Sequence, residues 1–207
     1  MTKIRASDGK ALGTFNVGTA PGWMAFDGAN IWVTTALTQG NGSVHKIRAS
    51  DGKVLGTFTV GPYPITVAFD GANVWVVNGG SGATGSVSKL RTSDGKVLGT
   101  FTVGNSPTGI AFDGANMWIA NRGDGTVSKL RASDGKNLGT FAVAGLPYGV
   151  AFDGTNIWVS GDPNTVELRA SDGAIVGKYS NQNGTGVAFD GANIWVAVTF
   201  ENSVNKM

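Results

Sequence analysis

Short apolar runs broken by Asp-Gly turns fill the chain from end to end. Between residues 108 and 143 the runs are TGIAF (108–112), MWIAN (117–121), TVSKLRA (126–132) and NLGTFAV (137–143). The breaks between them are DGAN (113–116), RGDG (122–125) and SDGK (133–136). Runs rich in Val, Ile, Thr, Phe and Trp and bounded by such turns predict strands. Asp-Gly supplies the positive φ that tight hairpin turns require. No stretch sustains a 3.6-residue period with caps, so no helix is predicted.

The same pattern recurs. AFDGANIWV (25–33) returns as VAFDGANVWV (67–76), IAFDGANMWI (110–119), VAFDGTNIWV (150–159) and VAFDGANIWV (187–196). A second phrase alternates with it, placing the Ser of S-D-G at Ser7, Ser50, Ser93, Ser133 and Ser171. The spacings are 43, 43, 40 and 38 residues. Periods near 40 residues mark propellers, solenoids or arrays. Four antiparallel strands per unit, five units and no helix predict an all-β, five-bladed β-propeller in one domain over 1–207. A blade is packed on both faces, so its second strand can be apolar throughout, as IWV and MWI are. Trp32, Trp75, Trp118, Trp158 and Trp195 share one place in that strand. Burying each removes roughly 150–250 Å² from water. They read as inter-blade core.

The segments P-x-G-[IV]-A-F-D-G-x-N-[IMV]-W-[IV] and the K-[IL]-R-[AT]-S-D-G turns resemble bacterial propeller repeats of the YVTN and NHL type, and those of virginiamycin B lyase-like proteins. The resemblance covers essentially the whole chain. It implies a propeller fold, commonly of six or seven blades where this chain has five copies. The lyase-like activity of that group depends on His and Glu residues with a metal. A chain with one His cannot supply that set.

Both chain ends fall in the third strand of a blade. SVNKM (203–207) aligns with TVSKL (126–130), and so does MTKI (1–4). Counting from Ser171 through Met207 and on to Ser7 gives 43 residues, a full period. The N-terminal strands are therefore expected to complete the blade begun by residues 185–207, removing free sheet edges. Four residues overlap, so one end must give way. The alternatives are a section of a longer array, or strand exchange between chains.

Composition narrows the function. Charged residues are 14% and the net charge is +2, which gives no electrostatic case for nucleic acid or an anionic membrane. No apolar run spans a bilayer. The start, MTKIRASDGK, already belongs to a repeat, so no signal peptide is read in it. Without Cys there is no disulfide and no thiol chemistry. Of 14 acidic residues, ten are the Asp of a D-G turn in the two repeated phrases, where Asp accepts backbone hydrogen bonds. D-G-A-N lacks the alternating ligands of a calcium loop. The other acids are Asp124, Asp162, Glu167 and Glu201. Paired carboxylates would be needed for glycoside hydrolysis. The inner strands WMAF, ITVAF, TGIAF, YGVAF and TGVAF carry none. The lone His45 reads as a surface residue. No catalytic, metal or cofactor site is expected, and the chain is read as not an enzyme.

Differences between copies are more informative. DGAN and SDGK turns lie at one end of the barrel and hardly vary. Loops at the other end vary in length and content, and loops on a rigid frame are where binding sites are built. That end offers Trp23, Tyr63, Tyr148, Asn78, Asn105, Asn121, Arg122, Asp124, Asn181 and Gln182. The R-G-D at 122–124 reads as a turn. Two functions fit: a non-enzymatic scaffold presenting these loops to a protein partner or assembly, and a multivalent carbohydrate binder using the aromatics and amides.

Overall fold

A computed structural model describes residues 1–35, 40–79, 84–143, 145–180 and 183–207. Among them every regular element is a strand. The third copy shows how closely pattern becomes structure. The runs predicted there appear as Pro107–Phe112, Asn116–Asn121, Thr126–Arg131 and Asn137–Ala142, with 122–125 a turn.

In chain order the strands are β1 Thr2–Ile4 and β2 Ala11–Thr14, a two-stranded hairpin. Four four-stranded antiparallel blades follow. The first is β3 Pro21–Phe26, β4 Asn30–Thr35, β5 Asn41–Arg48 and β6 Val54–Pro62. The second is β7 Pro64–Phe69, β8 Asn73–Asn78, β9 Thr84–Arg91 and β10 Val97–Asn105. The third is β11 Pro107–Phe112, β12 Asn116–Asn121, β13 Thr126–Arg131 and β14 Asn137–Ala142. The fourth is β15 Leu146–Phe152, β16 Asn156–Asp162, β17 Asn164–Arg169 and β18 Ile175–Ser180. A three-stranded blade ends the chain, with β19 Gly184–Phe189, β20 Ile194–Val198 and β21 Ser203–Lys206.

The blades stack through one repeated contact. Trp75, Val77 and Val87 of the second blade bury against Met117, Ile119 and Leu130 of the third. Trp32 and Val44 meet Val74, Val76 and Leu90 in the same way, and Trp118 and Val127 meet Ile157, Val159 and Leu168. Four of the five motif Trp also pack on the fourth-strand aromatic of their own blade: Trp32, Trp75 and Trp118 on Phe58, Phe101 and Phe141 at 5.6 Å, and Trp158 on Tyr179 at 5.2 Å. That aromatic in turn rests on the S-D-G glycine of the next blade. Phe101 lies where a Cβ on Gly135 would be, and Gly135 has a φ of +76°. Only glycine satisfies both demands there.

A lysine ties each seam between the four whole blades, whereas Glu167 holds its place in the fourth. Lys89 Nζ, nearly buried, donates to Ala132 O at 2.6 Å and Ser133 O at 3.1 Å in the next blade while lying over Trp75. Lys129 repeats this with Ala170 O and Ser171 O over Trp118. Carbonyls that burial would leave unpaired are thereby satisfied.

A five-bladed ring closed by the chain's own ends is the expectation; among the described residues there are six sheets and no closed ring is seen. β1 pairs with β2 alone and β21 with β20 alone. The inner strands pack in succession from β3 to β7, β11, β15 and β19, but β19 does not pack on β3 in that way. β1 and β21 both carry the third-strand pattern, and each keeps its own neighbour.

Candidate functional site

The repeated phrase D-G-x-N-x-W makes a turn clasp. In every copy the Asp Oδ1 accepts from the backbone N–H groups two and three residues on, as Asp113 does from Ala115 and Asn116. Its Oδ2 accepts from the indole Nε1 five residues on: Asp27 from Trp32, Asp70 from Trp75, Asp113 from Trp118 and Asp190 from Trp195 at 2.7 Å, and Asp153 from Trp158 at 2.6 Å. Burial alone would raise the Asp113 pKa. The bonds from Trp118, Asn116 and the backbone outweigh it and hold the carboxylate below its ordinary range. At the second turn of each blade an Arg binds the S-D-G Asp three residues on, and Arg91 holds Asp94 at a pKa of about 2. These carboxylates are committed to turns.

The opposite end carries the variable loops. Trp23 and Tyr148 are brought together there. Both line a channel cavity of about 310 Å³ with Thr66, Thr108, Thr185 and Val187 from the inner strands. Trp23 is 64% exposed, and its backbone is held by the Thr34 hydroxyl. Tyr63 does not line this cavity. It sits half-buried at a positive φ and its carbonyl accepts from Gly79 N.

A second group gathers around the turn between β12 and β13 of the third blade. Asp124 accepts from Asn105 N at 2.7 Å and from Asn105 Nδ2 at 2.8 Å, which pins two exposed loops together. The Arg122 guanidinium lies 4.8 Å from the Tyr148 ring centre, and its buried Nε has no hydrogen-bond partner. Beside them is a recess of about 460 Å³ walled by Arg122, Asp124, Leu146, Ile175 and Lys178. Leu146, Ile175 and Lys178 were not apparent as site residues from the sequence. Lys178 carried a usable signal, because the other copies have Thr at its place: Thr14, Thr57, Thr100 and Thr140.

Two expected site residues are not available to a ligand. Asn78 and Asn121 are buried. Asn121 Nδ2 donates to Thr126 Oγ1 and Ser128 Oγ, and its Oδ1 accepts from Gly104 N. Asn78 donates likewise to Ser86 and Ser88. Both are the last residue of a second strand, Asn73–Asn78 and Asn116–Asn121. Asn181 and Gln182 lie outside the described residues.

The remaining groups are dispersed. Glu167 accepts from Asn156 Nδ2 at 2.7 Å and from the Tyr179 hydroxyl at 2.9 Å. Asp162 ends β16, and Glu201 contacts Ser203 Oγ at 3.3 Å. His45 is half-buried rather than on the surface. Its two ring nitrogens sit 3.0 Å from Thr35 and Thr57 hydroxyls, and burial pushes its pKa down. Among the described residues no three His, Asp or Glu side chains converge on a metal-sized space, and no helix is long and apolar enough to cross a membrane.

Solved structures share the fold. A functionally unknown protein from Desulfotomaculum acetoxidans superposes with a TM-score of 0.78 at 12% identity, over 98% of this chain and 73% of that one. A putative 6-phosphogluconolactonase from Bacteroides uniformis gives 0.75 at 15% identity, over 94% and 69%. Kuenenia stuttgartiensis hydrazine synthase gives 0.65 at 14% identity, over 100% and 88%. At such identities the likeness extends to the fold, an all-β array of propeller-type blades. No family model and no curated protein matches the sequence.

Proposed function

We propose that this chain is a non-enzymatic β-propeller scaffold of the YVTN/NHL type that presents its variable loop face to a protein partner. Its five blades comprise four whole ones and one divided between the two chain ends. The recess between the third and fourth blades carries the reading. The exposed Leu146 and Ile175 line it together with Arg122, Asp124 and Lys178, and Arg122 lies over the Tyr148 ring. Protein interfaces combine an apolar centre, Arg and Tyr anchors and a polar rim in this way. The Asn105–Asp124 bonds hold the loops in advance, which lowers the cost of ordering them on binding. The test is cross-linked capture of partners from native extract with the wild-type chain, Arg122→Ala/Lys178→Ala and the opposite-end control Lys96→Ala. The scaffold reading expects one set of partners retained by the control and lost with the recess variant. Equal capture by all three would refute it.

A second reading rests on a different observation. Trp23 and Tyr148 share one channel with three threonines whose side chains can serve sugar hydroxyls. A glycan array read with wild type and a folded Trp23→Ala/Tyr148→Ala variant tests it. Saturable binding by wild type alone supports a carbohydrate binder, and a blank array removes that reading.

A further inference from the structure

The chain has six arginines, and five of them pair with S-D-G aspartates: Arg5, Arg48, Arg91, Arg131 and Arg169. Arg122 is the sixth. It is half-buried, makes no ion pair among the described residues, and its buried Nε has no hydrogen-bond partner. The acid two residues on, Asp124, is engaged elsewhere, with Oδ2 accepting from Asn105 N and Oδ1 from Asn105 Nδ2. The guanidinium lies instead on the Tyr148 ring. Stacking uses the face of a guanidinium. It leaves the terminal N–H donors at its edge, which is how arginine takes a carboxylate.

Lys178 is the second unusual cation. Every other lysine stands in the third-strand place or directly after S-D-G, whereas Lys178 stands in the fourth strand β18. It is exposed, and no hydrogen bond or ion pair holds it among the described residues. A bulge sets Ile175 opposite Leu168 and Lys178 opposite Val166. Leu168 and Val166 both pack toward Trp118 of the third blade. Directly opposed residues point to one face of a sheet, so Ile175 and Lys178 share the face turned to that blade. The recess of about 460 Å³ thus joins two cations without partners to the exposed Leu146 and Ile175, and Asp124 is the one acid among the residues that wall it. The seam between the second and third blades has Gly79, Asn137 and Thr140 at the places of Arg122, Ile175 and Lys178.

The turn that carries Arg122 is fixed on both sides. Arg122 N donates to Ser106 O at 3.1 Å, Gly123 N to Asn105 O at 3.0 Å, and Val143 N to Gly125 O at 2.9 Å. A ligand there meets donors already in place, which lowers the ordering cost of binding.

We propose that this recess reads an acidic residue in a peptide segment of the partner. An aliphatic side chain of the segment lies on Leu146 and Ile175, while a neighbouring Asp or Glu carboxylate accepts from the Arg122 guanidinium and from Lys178 Nζ. This deepens the scaffold reading and rests on it, by naming the chemistry of the segment that enters. Charge complementarity selects the occupant. A basic segment would add a third cation to two unpaired ones, and a neutral segment would cover Arg122 without supplying an acceptor for its donors.

The test is selection of a phage-displayed random peptide library on the full chain, followed by anisotropy titration of the enriched peptides made with blocked ends. The enriched peptides are expected to share an Asp or Glu beside an aliphatic residue. Replacing that acid by its amide should weaken binding at least about tenfold. Arg122→Lys, which keeps the charge and loses the planar fork, should do the same. Lys178→Thr should weaken binding about threefold or more; it installs the residue that the other copies carry, so it tests the site in a folded chain even if Arg122→Lys does not fold. Enriched peptides with no shared acid, acidic peptides whose affinity is unchanged in the folded variants, or a selection that enriches nothing would each overturn the proposal. The scaffold reading fails separately, when capture of partners from extract is the same with and without Arg122 and Lys178. If that capture depends on both residues while the peptides need no acid, the scaffold reading stands and this proposal falls.

Discussion

Trp118 and Trp195 occupy the same place in the same phrase, bond the same kind of Asp at the same 2.7 Å, and differ in what lies against them. Trp118 is sealed by Phe141 on its own blade and by the fourth blade beyond it. Trp195 faces outward. The difference is legible along the strands. β12 is buried at nearly every position, whereas β20 alternates buried and exposed. A blade owes its two-sided apolar strand to having two neighbours. The turn clasp is local and forms in either setting, but most of the stabilisation lies in the seam.

Truncation separates these contributions. Trp118→Ala should lower unfolding stability by about 3–5 kcal/mol. Trp195→Ala should cost about 1 kcal/mol or less in dilute protein. Urea denaturation of the pair checks this, and equal losses would break the comparison. Glycine substitution sharpens it. Gly9→Ala meets only the strain of a positive φ, about 1–2 kcal/mol. Gly135→Ala meets the same strain and also Phe101, adding about 1–3 kcal/mol of overpacking.

Removing the lysine tie is next in size. Lys129→Met leaves Ala170 O and Ser171 O without their donor at a buried seam, a loss of about 1–3 kcal/mol. Lys206→Met, at the open end, should change stability by no more than about 0.5 kcal/mol. Thermal melts of the two variants give the contrast. Acid gives the smallest effect per site. Asp27, Asp51, Asp94, Asp113, Asp134, Asp153, Asp172 and Asp190 have folded pKa values below the unfolded value of about 3.9. Their contribution is therefore complete above that pH and is lost as pH falls through the folded values, about 2 for Asp94. Melting temperature should be flat from about pH 6 to 4 in this respect and fall below it. Asp113→Asn should remove part of that slope.

Strands and turns were readable because the phrases repeat and Asp-Gly fixes the hairpins. The clasp was not, because a bond from Trp to an Asp five residues back depends on how the hairpin folds over. Lys89 and Lys129 were missed because a lysine in a strand ordinarily reads as solvent-facing, and here its stem lies along a Trp and its ammonium reaches a neighbouring blade. Asn78 and Asn121 were candidate binding amides but finish buried strands. Of the loop residues, Trp23 with Tyr148 and Asn105 with Asp124 do converge, whereas Tyr63 stands apart from the channel. The period across the ends has the length of a blade, yet β1 pairs with β2 and β21 with β20 among the described residues.

The most direct measurement is indole N–H hydrogen exchange by NMR on dilute protein, resolving the five motif tryptophans by single substitutions. Slow exchange is expected at Trp32, Trp75, Trp118 and Trp158, and markedly faster exchange at Trp195. Protection of Trp195 equal to that of Trp118 at the lowest concentration would contradict an array sealed inside and open at its ends.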